Sequence, residues 1–212
     1  MNEDWRAGSP ITDALERTFR YLQYLSPPSW IHGTRPHAQG KEHAVVRGRA
    51  IEYFVLVCLA VECICLIALL LVPVFAWPVM LIMSWRVADI FQVCVNVTLF
   101  DRLRIKSGTH KVAAHTRIVL LTIWNFFELC FCFGIMYSTS MLPLSRKDDW
   151  IDPFYFSAIT QLTIGYGDVC PLGPTRIVAL IQGMLGFLLA VLVITRVVGA
   201  LPRIESELDN AA

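Results

Sequence analysis

Residues 51–72, IEYFVLVCLAVECICLIALLLV, run for 22 positions with Glu52 and Glu62 as their only charges. About 20 predominantly apolar residues are enough to cross the hydrocarbon core of a bilayer as a helix. Three further segments of this kind follow, at 79–100, 118–138 and 174–201. Lipid offers no partner to backbone N–H and C=O groups, so a spanning segment satisfies them internally, as a helix. The expected fold class is an all-α integral membrane protein with four transmembrane helices. Charged residues make up only 17% of the 212, against about 25% in soluble domains. A net charge of +1 gives no footprint for a nucleic-acid partner. The polar, acidic start MNEDWRAGSP lacks the apolar core of a removable signal peptide, and none is expected.

The second segment carries Arg86, Asp89, Gln92 and Asn96, and a charge at mid-membrane costs about 2.5–3.5 kcal/mol on the insertion scale. The distribution of basic residues nevertheless favours its spanning. Seven precede residue 51 (Arg6, Arg17, Arg20, Arg35, Lys41, Arg47 and Arg49), five lie in 101–117 (Arg102, Arg104, Lys106, Lys111 and Arg117), and the turn PVFAWP at 73–78 has none. With four spans, both basic stretches share the cytoplasmic side with the C-terminus. The expected location is the cell membrane, multi-pass, with both termini cytoplasmic.

Counted from the helix ends, Glu62, Arg86 and Glu128 fall near the midplane, and Asp89 lies one turn from Arg86. Ionisable residues at that depth face the bundle interior and pair. Arg86 is therefore expected to bridge Asp89, Glu62 or Glu128, either as structural glue or as a proton-sensitive element. One arginine does not make a voltage sensor. Six of the seven cysteines, Cys58, Cys63, Cys65, Cys94, Cys130 and Cys132, lie in apolar blocks and read as small hydrophobes. Cys170 reads as exposed. Before the first span, Ser9-Pro10 opens a short amphipathic helix carrying Ile11, Leu15, Phe19, Leu22 and Leu25. The histidines His32, His37, His43, His110 and His115 all fall on the cytoplasmic side of this topology.

Between the third and fourth spans the chain reads DPFYFSAITQLTIGYGD. Asp152-Pro153 is an N-cap and first-position signal for a helix over 153–163. Such a helix is about 16 Å long, half of a core of about 30 Å. A half-length helix must turn back, and irregular backbone at that depth is tolerated only inside protein or beside a watery cavity. The segment 153–168 therefore reads as a re-entrant loop. Gly165 and Gly167 admit positive φ, and alternating such conformations aims successive carbonyls toward one axis. The carbonyls of Thr163, Ile164, Gly165 and Tyr166, with the Thr163 hydroxyl, would then form oxygen rings that replace a monovalent cation's hydration shell. Tyr166 would brace on Tyr155 and Phe156. Asp148, Asp149 and Asp152 before the helix would gather cations at the mouth or form a solvated loop with Arg146 and Lys147.

The run Thr160-x-x-Thr163-x-Gly165-Tyr166-Gly167-Asp168 resembles the signature of the tetrameric potassium channels. The resemblance covers 118–201: outer helix 118–138, pore helix 153–163, filter 163–168 and inner helix 174–201. It implies a potassium-channel-like pore in which Thr163, Ile164, Gly165, Tyr166 and Gly167 line the K+ sites. It also implies that Asp168 stands at the outer mouth, with Cys170 close by, and that Gly186 is the gating hinge, with Gly183 as the alternative. Ile159 stands where some prokaryotic members carry a glutamate, so a carboxyl pair with Asp168 is absent.

One filter per chain, where four are needed, implies a homotetramer or four subunits including relatives. K+ is the permeant ion, no cofactor is implied, and conduction involves no chemical reaction. The expected organisation is a cytoplasmic segment 1–50, a transmembrane hairpin 51–100, a basic loop 101–117, the pore domain 118–201 and a short tail 202–212. Two other classes share these features. One is a modifier subunit that conducts only with a different partner, and the other is a membrane sensor that keeps a pore-like fold.

Overall fold

The computed structural model describes residues 41–95 and 112–200. The amphipathic segment over 9–25, His32, His37, His110, residues 96–100 and the tail 202–212 lie outside the described residues, as do the side chains of His43 and His115. The described chain contains helices α1 (Lys41–Leu71), α2 (Ala76–Val95), α3 (Val112–Ser138), α4 (Asp152–Gln161) and α5 (Thr175–Ala200), with a 3-10 turn at Pro73–Phe75. Among the described residues four stretches are long and apolar enough to cross a membrane: Glu52–Leu71, Pro73–Val95, Val119–Ser138 and Thr175–Thr195. No β-strand occurs among the described residues beyond a single isolated bridge between Leu144 and Pro171.

Several boundaries differ from those expected of the sequence. The helix α1 begins at Lys41 rather than near 51, and α3 begins at Val112, so residues 112–117 are helix rather than loop. Hydropathy marks where lipid ends, whereas a helix persists through any polar sequence that does not break it. With 31 residues, α1 is about 46 Å long against a core of about 30 Å, so its first turns stand outside the lipid. The turn expected at 73–78 is shorter: Val72 leaves the helical region, Pro73–Phe75 forms one 3-10 turn, and α2 starts at Ala76. Pro78 falls in the first turn of α2, where its missing N–H has no intrahelical acceptor to lose.

The helix α3 is central and packs against each of the other four. Its buried face carries Leu129, Cys132, Phe133, Ile135, Met136 and Tyr137. Met83, Val87 and Ile90 of α2 meet it on one side, and Phe156 of α4 and Leu189 of α5 on the other. The Phe156 ring stands edge-on to Tyr137 at 4.9 Å, and Phe131 stacks on Phe154 at 5.5 Å. In contrast, Leu56, Val57, Ile64, Ile67, Leu70 and Leu71 leave α1 with an exposed apolar surface of the kind lipid covers.

Candidate functional site

The short helix α4 runs from Asp152 to Gln161, not 153–163. Ile151 occupies the N-cap position without a side-chain cap, and Asp152 is the first helical residue. The capping role expected of Asp152 is reversed: its Oδ2 accepts from the backbone N–H groups of Asp148 (2.8 Å) and Asp149 (3.2 Å), tying down the turn before the helix. Asp152 is buried and so cannot gather cations from solution, whereas Asp148 and Asp149 are exposed, Asp148 beside Arg146 at 3.2 Å. The neighbouring Lys147 donates to the carbonyl of Thr139 at 2.7 Å, and burial lowers the pKa of its ammonium.

At its other end α4 stops because Thr163 turns to φ +57°, outside the right-handed helical region. Gly165 follows at +57° and Gly167 at +80°, so positive φ recurs at every second residue of the glycine run. For a β-branched threonine this conformation costs about 1–3 kcal/mol, and it persists because the surroundings fix it. The N–H groups of Ile164 and Gly165 both donate to the Ile159 carbonyl, at 2.9 and 3.3 Å, which turns them back onto α4. Among the described residues nothing donates to the carbonyls of Thr163, Ile164, Gly165 or Tyr166. Residues 162–168 are all exposed, between buried Gln161 and Val169.

Tyr166 is not braced on Phe156, whose ring faces Tyr137 of α3. Tyr166 is 70% exposed, and the Tyr155 hydroxyl donates to Asp168 Oδ2 at 2.9 Å, a bond that raises the phenol pKa. Past Asp168 the chain is anchored to the loop before α4. Ser145 N–H donates to the Cys170 carbonyl, Cys170 N–H to Ser145 Oγ, and Leu172 N–H to the Pro143 carbonyl, all at 2.8–3.0 Å. The exposed Cys170 thiol donates to the Gly167 carbonyl at 3.2 Å.

Behind this loop lies a buried polar network that the sequence reading missed. Gln182 of α5 is fully buried. It accepts from the Tyr137 hydroxyl (2.9 Å) and donates to Ser157 Oγ (2.7 Å) and the Ser157 carbonyl (3.0 Å). Ser157 also donates to the Cys130 carbonyl, and Gln161 to that of Phe126. These bonds join α3, α4 and α5. The available signal was Gln182 itself, a polar residue inside an apolar span, to which the reasoning applied to Arg86 extends. Gly186 lies one turn further along α5, where an added Cβ would come within 2.7 Å of Gln161 Cγ and 3.2 Å of the Gln161 carbonyl oxygen. Gly183 faces open space.

The four intramembrane charges meet in a second buried cluster. Arg86 donates from Nε and Nη2 to Glu128 Oε1 at 2.9 and 2.6 Å and from Nη1 to Asp89 Oδ2 at 2.5 Å. Glu62 Oε1 lies 3.6 Å from Nε and accepts from the Cys132 thiol. Thus Cys132 has a polar partner in addition to its apolar packing. Among the described residues no group of three or more His, Cys, Asp or Glu side chains is arranged to hold a metal.

Residues 123–202 match the model of the ion channel family. Over 47 residues the chain is 40% identical to Protein LctB of Geobacillus stearothermophilus and 38% identical to Protein LctB of Bacillus caldotenax. Each match covers 22% of this chain and 35% of the relative, so the chain spans about a third of the curated relatives it matches. No solved structure matches. The half-helix, the glycine run, α5 and the part of α3 from residue 123 on lie inside the family match, and over residues 123–202 this membrane protein carries an ion-channel pore domain.

Proposed function

We propose that the protein is the pore-forming subunit of a potassium-selective channel, and that four copies assemble around one axis. The observation that carries this reading is the alternation of positive φ at Thr163, Gly165 and Gly167, with four successive carbonyls, Thr163 to Tyr166, left without a donor. Rings of such oxygens, one set from each of four chains, take the place of the ion's water. The C-terminal end of α4 adds the negative pole of its dipole at the same level. Exposed Leu162, Ile164 and Tyr166 need cover, which neighbouring copies supply. Gly186 is then the point about which α5 bends, Asp168 and Cys170 stand at the outer mouth, and both termini are cytoplasmic in the cell membrane. The test is uptake of K+ by liposomes carrying the purified protein alone. The wild type should conduct, and Gly165→Ala, strained at φ +57°, should not. Flux that requires another subunit, or that Gly165→Ala leaves intact, contradicts the proposal.

A further inference from the structure

The cluster around Arg86 contains more carboxyl groups than its guanidinium serves. Its Nε and Nη2 are committed to one oxygen of Glu128 and its Nη1 to Asp89. Glu62 receives no hydrogen bond from Arg86: its Oε1 stands 3.6 Å from an Nε already engaged at 2.9 Å, and its donor is a thiol at 3.4 Å. The second oxygens, Oε2 of Glu62 and Oε2 of Glu128, have no hydrogen-bond partner among the described residues, although the two residues are only 1% and 3% exposed. The titratable and charged groups facing Glu62 are Cys58 and Cys65 on its own helix, Arg86 and Asp89 on α2, and Glu128 and Cys132 on α3. The Phe54 ring closes over the guanidinium at 5.5 Å.

This arrangement lies deep in the bilayer. Glu62 is the eleventh of the 20 residues of Glu52–Leu71, and Glu128 the tenth of the 20 residues of Val119–Ser138. A carboxylate with an unpaired oxygen is strongly disfavoured at that depth, and two carboxylates sharing one site do not both stay ionised. A bound proton resolves both problems. It removes one negative charge and turns an acceptor-only carboxylate into a donor, which a neighbouring carboxylate oxygen can accept.

We propose that Glu62 and Glu128 form a proton-binding carboxyl pair at mid-membrane, with Glu62 holding the proton, and that this site is what the α1–α2 hairpin contributes to the pore. The ligand is one proton, exchanged with water. With it bound, Arg86 faces only the two carboxylates that its hydrogen bonds serve, Glu128 and Asp89. Its loss places a further negative charge between α1 and α3 and drives the hairpin off the outer helix. The consequence for conduction rests on the channel reading, because α3 also carries Tyr137, Cys130 and Phe126, which hold α4 and α5. The proton site itself does not depend on that reading.

Infrared spectroscopy of the full chain in lipid vesicles tests the site without measuring flux. At neutral pH the wild type should show the C=O stretch of a protonated carboxylic acid. Glu62→Gln should lose it, and Asp148→Asn, in the exposed loop, should keep it. Glu128→Gln should also lose it, because Arg86 then recruits Glu62 as an ionised partner. Glutamine imitates the neutral acid, so Glu62→Gln should assemble as the wild type does. A missing band, a band that Glu62→Gln leaves in place, or a Glu62→Gln chain that fails to assemble overturns the proposal. Ion flux should change several-fold between acid and alkaline pH in the wild type and stay flat in Glu62→Gln. Equal pH dependence in the two overturns the coupling. A wild type with the band but without flux supports the site and counts against the channel reading.

Discussion

Gly186 of the last helix and Gln161 at the end of the pore helix are packed so closely that no Cβ fits between them. A methyl group at 186 would meet Gln161 Cγ at 2.7 Å and, less yieldingly, the Gln161 carbonyl oxygen at 3.2 Å. Gly186→Ala should therefore destabilise by about 1–3 kcal/mol through overpacking. Gly183→Ala, with nothing within 4 Å in the chain, should gain about 0.5–1 kcal/mol of helix propensity. Thermal unfolding of the two variants checks this, and equal shifts would show that Gly186 is no close-packed position.

The Tyr137–Gln182–Ser157 network should behave as a unit. Tyr137→Phe removes one donor and should cost about 0.5–1.5 kcal/mol. Gln182→Leu also strands the buried Tyr137 hydroxyl, while Ser157 keeps its bond to the Cys130 carbonyl, and should cost about 1–3 kcal/mol for the group left unsatisfied. In the double variant the phenylalanine has no hydroxyl to strand, so the two losses should sum to more than the double loss. Simple additivity in chemical unfolding would mean that the 2.9 Å bond contributes nothing.

Arg86 should matter far more than an exposed arginine in a similar ion pair. Arg86→Met leaves Glu128 and Asp89 buried without their cation, an effect of about 3–5 kcal/mol. Arg146, 52% exposed with Asp148 as partner, should give about 0–1 kcal/mol on substitution by methionine. The yield of assembled protein and its unfolding midpoint distinguish the two, and similar losses would remove Arg86 from its structural role.

The main features of the fold were legible because lipid is a severe solvent. It requires long apolar helices, and an interrupted half-helix such as α4 is noticeable within them. The cluster of Arg86, Asp89, Glu62 and Glu128 was legible for the same reason, since charges at that depth must find one another. Helix ends were not: nothing in hydropathy says that α1 starts at Lys41, because its first turns answer to propensity rather than to lipid. The direction of the Asp152 side chain was also hidden. An Asp-Pro pair fits a forward cap, and only the fold of residues 148–151 turns the carboxylate backwards. Tyr166 was expected to brace on Tyr155 and Phe156, yet within the chain the Phe156 ring is taken by Tyr137.

Cys170 gives a chemical handle on the mouth. Its thiol is exposed and bonded to the Gly167 carbonyl, so a bulky, membrane-impermeant thiol reagent added outside should reduce flux. Cys170→Ser should remove that sensitivity while keeping a donor for the carbonyl. Undiminished flux after complete labelling would place Cys170 away from the conduction path.

The most direct measurement is the reversal potential of the purified protein in a planar bilayer with K+ on one side and Na+ on the other. Carbonyl rings built from Thr163 to Gly167 predict a potential that follows the K+ gradient as either concentration is varied. A potential that follows Na+, or that ignores K+, contradicts the account.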